Sequence, residues 1–259
     1  MILRGSVLSN VLAMETGITV VTPGMLKEEG NYKVVYLLHG LFGCNTDWAN
    51  YSMLPVYAAE HDIIFVMPEV ARSFYTDMKY GLDYFTYVAE ELPLICKSFF
   101  NISARREDTA VIGASMGGYG ALKCALSKPE QYGYCAAIAP ACLFLKEGMD
   151  YQRAHGKTEE FSNMIGERLI NDFEAAFGPE LTWSPKFEIV ELAKEASRQL
   201  VKPELYVACG TSDSLYAENI RFRNEMETLD FGLTFEEWEG KHDWYFFNEA
   251  LRRAINRYF

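Results

Sequence analysis

At 259 residues, with 49% apolar and 23% charged side chains, the chain has material for one large α/β domain and too much apolar content for disorder. A formal charge of −12 argues against nucleic acid and anionic membrane as partners, because both would be repelled over the screening length; it favours a neutral or cationic small molecule. The apolar runs at 34–38 and 63–67 are far too short to cross a bilayer, and residues 1–10 lack the basic start and apolar core of a secretory signal.

Two antiparallel edge strands are expected first, at 2–8 from the alternation of side chains and at 17–21, closed by the turn Thr22-Pro23-Gly24. From residue 33 strand and helix signals alternate, the pattern of a mostly parallel sheet with helices on both faces. Strands are expected at 33–38 and 62–67, with a helix at 47–60 between them and an amphipathic helix at 82–99 that tolerates Pro93. A buried strand then runs from Thr109 into Gly113, followed by a helix over 119–126 and a strand at 134–139 that Pro140 ends. A polar, irregular stretch at about 144–195, holding the turn Gly178-Pro179, breaks the rhythm. Connections in compact domains are usually two to six residues, so this stretch reads either as a cap-like insertion over the active face or as a displaced pair of surface helices. The rhythm resumes with a strand at 204–208, a helix at 215–229, a strand at 234–238 and a last helix at 244–258. With no repeat, linker or low-complexity tract, 1–259 is expected to be a single domain.

The six cysteines, Cys44, Cys96, Cys124, Cys135, Cys142 and Cys209, lie mostly in apolar segments and show no Cys-x-x-Cys spacing. They are expected to be reduced and buried in a cytoplasmic protein rather than paired or bound to zinc.

The chemistry is carried by Gly113-Ala114-Ser115-Met116-Gly117, placed between the apolar strand and the helix. Gly-x-Ser-x-Gly alone arises by chance in roughly one chain in ten of this length, so the flanking elements decide. A strand of β-branched residues ending in this turn reads as a nucleophile elbow, in which a strained backbone lifts the serine hydroxyl above the sheet and the two glycines let strand and helix approach.

A serine hydroxyl needs a neighbouring base, and the base needs an acid to hold its tautomer. In this architecture the order is serine, acid, histidine, which excludes His39 and His61. His155 falls in the irregular stretch, whereas His242 follows the last strand, where open α/β sheets place ligands and chemistry. His242 is therefore the expected base. Asp213, just beyond Gly210 at the end of the preceding strand, is the expected acid, with Glu239 and Asp243 behind it; Asp213 could instead cap the following helix. Oxyanion donors are expected from the Met116 amide and, in the glycine-rich exit His39-Gly40-Leu41-Phe42-Gly43-Cys44, from the Leu41 amide.

These residues carry a resemblance. Tyr36-Leu37-Leu38-His39-Gly40-Leu41 with Asp47-Trp48, Phe74-Tyr75-Thr76-Asp77, Tyr84-Phe85-Thr86-Tyr87 with Glu91-Leu92-Pro93, the elbow, Cys209 to Asp213 with Leu215-Tyr216, and His242-Asp243-Trp244 are similar to an esterase family of α/β-hydrolases. That family includes esterase D, S-formylglutathione hydrolases, tributyrin esterases, and the feruloyl and acetylxylan esterases of carbohydrate esterase family one; the tributyrin-esterase branch is the nearest in likeness. The resemblance implies an α/β-hydrolase fold, the same three catalytic residues, and hydrolysis of short acyl esters with no metal or organic cofactor. Trp48, Tyr75, Tyr119 and Trp183 are candidates to line the substrate pocket, against the simpler reading that each is a core aromatic. Leu41-Phe42-Gly43-Cys44 departs from the Leu-Thr-Cys run usual after glycine in S-formylglutathione hydrolases, which places a thioesterase second to a carboxylesterase. A binding protein that kept the fold without catalysis is the alternative of another class, and a homo-oligomer is compatible with any of these readings.

Overall fold

Among the residues described by the computed structural model, which are 1–24, 31–155, 158, 166–229 and 231–259, eight strands form one sheet. They are β1 (Ile2–Ser9), β2 (Met14–Val21), β3 (Lys33–Leu38), β4 (Ile63–Pro68), β5 (Thr109–Ala114), β6 (Tyr134–Ile138), β7 (Glu204–Gly210) and β8 (Leu233–Trp238), in the order β1-β2-β4-β3-β5-β6-β7-β8. β1 and β2 are antiparallel, as expected for the edge, and β3 to β8 pair in parallel. Parallel strands covered on both faces read as continuous apolar runs, and β3 shows why. Val34, Tyr36 and Leu38 enter one buried cluster, while Val35 and Leu37 enter the cluster on the opposite face.

The helix expected at 47–60 is two helices, α1 (Asp47–Tyr51) and α2 (Leu54–His61), because Ser52 is extended at φ −130°, ψ 171° and Pro55 sits in the first turn of the second. The segment 82–99 is likewise divided, into α3 (Tyr84–Thr86), a π turn at Tyr87–Glu91 and α4 (Leu92–Phe99). There Pro93 falls in the first turn of α4, where its missing N–H costs little. After the central strand comes α5 (Met116–Ser127), which begins three residues earlier than its sequence pattern announces.

The stretch 144–195 holds α6 (Leu145–His155), α7 (Glu167–Phe177), a 3₁₀ turn at Pro185–Phe187 and most of α8 (Ile189–Ser197). The last of these packs on α5 and so belongs to the helical layer over the sheet, whereas α7 leans over the carboxyl ends of the strands through Phe173 and Phe177 on Phe74. Part of the expected insertion, 156–157 and 159–165, lies outside the described residues. The chain closes with α9 (Tyr216–Glu227) and α10 (Trp244–Tyr258), the latter buried along Phe247, Leu251 and Ile255.

A lysine lies inside this core. Lys123, on α5, is only 4% exposed, and its Nζ donates to the Tyr75 carbonyl at 3.0 Å and to Thr76 Oγ1 at 2.9 Å. Loss of water pushes its pKa down to about 8 from the ordinary 10.5. The ammonium form is disfavoured in the folded state, so the unfolded chain holds this proton over the window from about 8 to 10.5 and stability rises with pH across it. Lys123→Met should remove this component. Relative to the unaltered chain, the variant should be roughly 3 kcal/mol better off at pH 7 than at pH 10.5, read as the difference between urea melts at the two pH values.

Candidate active site

Ser115 stands at the junction of β5 and α5 with φ 57° and ψ −122°, a positive φ that costs strain in a residue with a Cβ. The surroundings fix it: its amide donates to the Ile138 carbonyl at 2.9 Å, and its carbonyl accepts from Ala141 at 3.2 Å. The flanking glycines are needed for approach. A Cβ on Gly113 would fall 2.2 Å from the Gly117 carbonyl oxygen, and one on Gly117 would fall 2.4 Å from that of Leu38. Ser115 therefore faces outward at the sheet's carboxyl edge, half-buried between two hollows.

The expected acid and base meet each other, and His242 shares a hollow with Ser115. Asp213 and His242 arrive on the exits of β7 and β8, which are knitted by Thr211 N–H to the Trp238 carbonyl and Ser212 N–H to that of Gly240, both at 3.0 Å. Gly210 permits this closeness, since a Cβ there would lie 2.4 Å from the Gly240 oxygen. His242 Nδ1 lies 2.8 Å from Asp213 Oδ2, and the carboxylate side chain has no solvent exposure. Its other oxygen accepts from the Leu215 amide at 2.8 Å, so Asp213 both turns the chain into α9 and holds the imidazole. Asp243 does not compete, because it caps α10 by accepting from Phe246 N–H at 3.1 Å. His155 is placed elsewhere, stacked on Tyr151 at the end of α6.

The strand exit after β3 passes directly over the serine. Gly40 lies close enough that an added Cβ would touch Ser115 Cβ at 3.6 Å. Leu41 is held on both sides. The Gly40 carbonyl before it accepts from His39 Nδ1 at 2.8 Å and from Gly43 N–H at 3.0 Å, and its own carbonyl accepts from Arg72 Nη1 at 3.2 Å. Met116 is the first residue of α5, so its amide has no intrahelical acceptor and points out of the helix's amino end.

Two hollows open from Ser115. One, of about 160 Å³, is shared with His242 and walled by Trp48, Trp244, Phe247 and Phe42. The other, of about 310 Å³, is walled by Leu41, Met116, Phe74, Leu145, Leu169 and Phe173, with the Glu218 carboxyl on one side. Burial pushes the Glu218 pKa up, though its Oε1 accepts from Leu143 N–H at 2.7 Å. His242 lines only the first.

Of the four aromatics expected to line a substrate pocket, Trp48 alone reaches a hollow containing Ser115. Its indole N–H is anchored on the Leu38 carbonyl at 2.9 Å and its ring meets Trp244 edge-on at 5.0 Å. Tyr75 and Tyr119 are fully buried, their hydroxyls spent on the carbonyls of His39 at 2.9 Å and Phe187 at 2.8 Å. Tyr75 is turned inward because Phe74 and Tyr75 both adopt positive φ, 52° and 48°, and its ring fills the space left by Gly120. Trp183 lines a different hollow, of about 750 Å³, with Lys79 and Tyr80. Residues around Ser115 unforeseen from sequence include Arg72, Trp244, Phe247, Phe173, Leu145, Leu169 and Glu218. Only Trp244 had a signal, its adjacency to the His242 loop.

A mostly parallel sheet with a serine at the sharp turn after its central strand, under a glycine-rich strand exit, is the α/β-hydrolase architecture, and the family match makes the chain a carboxylic ester hydrolase. The chain belongs to the Putative esterase family, whose family model matches residues 9–258. It is 29% identical over 229 residues to an acetyl esterase of Caldicellulosiruptor saccharolyticus, covering 87% of this chain and 82% of that protein. The substrate-bound structure of the fluorophosphonate-binding serine hydrolase F of Staphylococcus aureus superposes with a TM-score of 0.85 at 26% identity, over 100% of this chain and 98% of that one. The S-formylglutathione hydrolase of the same organism gives 0.80 at 26% identity, over 100% and 98%. Among the described residues no helix is long and apolar enough to cross a membrane.

Proposed function

We propose that Ser115, His242 and Asp213 form the catalytic triad of this esterase and that the Leu41 and Met116 amides form its oxyanion hole. The observation that carries the reading is the 2.8 Å pair between buried Asp213 and His242, which lines the same hollow as Ser115. Asp213 keeps the proton on Nδ1, leaving Nε2 free to take the serine proton as Oγ attacks the ester carbonyl. Charge then develops on the carbonyl oxygen, and two preset amides stabilise it by several kcal/mol without reorganisation. The alcohol leaves with the proton from His242, and water activated by the same ring releases the acid.

Proton delivery also orients the substrate. The departing oxygen must lie on the His242 side, so the alcohol occupies the aromatic hollow at Trp48 and Trp244, and the acyl chain occupies the apolar hollow under α7. Each methylene buried there contributes about 0.8 kcal/mol, or roughly four-fold in kcat/KM. Across p-nitrophenyl acetate, butyrate and hexanoate the rate should therefore climb, and Phe173→Ala should flatten the climb. Rates that fall from acetate onward would overturn the placement.

The full-length likeness to an S-formylglutathione hydrolase supports a second reading, a thioesterase. Side-by-side kcat/KM on S-formylglutathione and on a butyryl ester decides between them. A fluorophosphonate probe that left Ser115 unlabelled would return the chain to the binding-protein reading. The six free thiols support action in a reducing compartment.

A further inference from the structure

Arg72 joins two parts of this site. Its Nε and Nη2 both lie 2.6 Å from Asp172 Oδ2, while Nη1 donates to the Leu41 carbonyl at 3.2 Å, and its guanidinium sits 5.2 Å from the centre of the Phe42 ring. Asp172, on α7, is only 6% exposed, and its Oδ1 takes a second cation, Arg168, at 3.1 Å. A carboxylate at that depth is tenable only when paired. The same helix carries Leu169 and Phe173 into the wall of the acyl hollow, with Phe173 4.7 Å from Phe74. One ion pair thus fastens the helix that shapes the acyl wall to the loop that aims the Leu41 amide.

We propose that Arg72 is a positioning residue coupling the two, so that the seating of the acyl chain and the aim of the oxyanion donor are set together. The inference rests on the reading of Leu41 as that donor. Arg72 makes the coupling because its rigid fork reaches carboxylate and carbonyl at once, which a single ammonium does not. His39 fixes the peptide before Leu41 whatever happens to α7. Arg72 fixes the one after it, and only with α7 in place.

The test uses two variants. Arg72→Lys keeps a cation beside Asp172 and loses the fork; Asp172→Asn keeps the side-chain shape and loses the charge that holds Arg72. In each, kcat on p-nitrophenyl butyrate should fall about ten- to hundred-fold, the cost of a small misplacement at the reacting centre. The hexanoate-to-acetate rate ratio should move toward one, and the double variant should be no worse than the poorer single. A purely structural role would lower the melting temperature and leave kcat per active site and the ratio untouched. Either folded variant retaining kcat within about two-fold, with an unaltered ratio, overturns the proposal. Titration of Ser115 with a fluorophosphonate counts active sites. Full labelling with unaffected variants sinks the coupling alone, whereas an unlabelled unaltered enzyme sinks the triad reading beneath it.

Discussion

Ser115→Ala should lower ester hydrolysis on the order of 10⁶-fold while leaving the melting temperature where it was. The kinetic half follows from the absence of any other route to an acyl-enzyme in the proposed mechanism: without Oγ, His242 has no serine proton to take and no covalent intermediate forms. A remnant over water is expected, since two oxyanion donors and substrate binding survive the change. The stability half follows from the backbone. Strain at φ 57° comes from the Cβ, which alanine shares, and the serine hydroxyl makes no capping bond to α5. Steady-state rates on p-nitrophenyl butyrate and a thermal melt of the same preparation check both halves. Activity within ten-fold of the unaltered chain would mean that another group attacks the ester.

The elements of the sheet were legible because β3, β4 and β5 are apolar on both faces, which leaves little choice of structure for Lys33–Leu38 or Thr109–Ala114. The pairing of Asp213 with His242 was legible for a topological reason: exits of neighbouring parallel strands share one edge, so residues 29 apart in the chain converge to 2.8 Å. Helix breaks were less so. The division at Ser52 depends on a single extended residue beside Pro55, and the π turn at Tyr87–Glu91 has no compositional mark.

The aromatics divide on the same principle. Whether Tyr75 faces substrate or core is decided by two consecutive positive φ values at Phe74 and Tyr75, and hydropathy carries no trace of them. Arg72 was invisible for the opposite reason. Its carboxylate partner lies 100 residues away on α7, and nothing local distinguishes a clamped arginine from a solvated one. What the sequence pattern conveyed was therefore the chemistry at strand ends, and what it withheld was the shape of the space around it.

Asp213→Asn is expected to be the most informative single-atom exchange in the site, lowering kcat about 10⁴-fold with little change in KM. The buried carboxylate accepts two hydrogen bonds, from Leu215 N–H on Oδ1 and from His242 Nδ1 on Oδ2, each at 2.8 Å. Asparagine can satisfy only one of these with its carbonyl. Turning the amide nitrogen toward Leu215 would set donor against donor at a side chain with no solvent exposure, at a cost of about 1–3 kcal/mol, so the carbonyl stays on Leu215 and the NH₂ faces the imidazole. His242 must then accept at Nδ1, which moves its own proton to Nε2. The nitrogen that should take the serine proton is already protonated, and raising the pH does not cure it, because the neutral ring remains in the wrong tautomer. A kcat within ten-fold of the unaltered enzyme, or recovery of rate at high pH, would show that Asp213 serves the turn into α9 rather than the base.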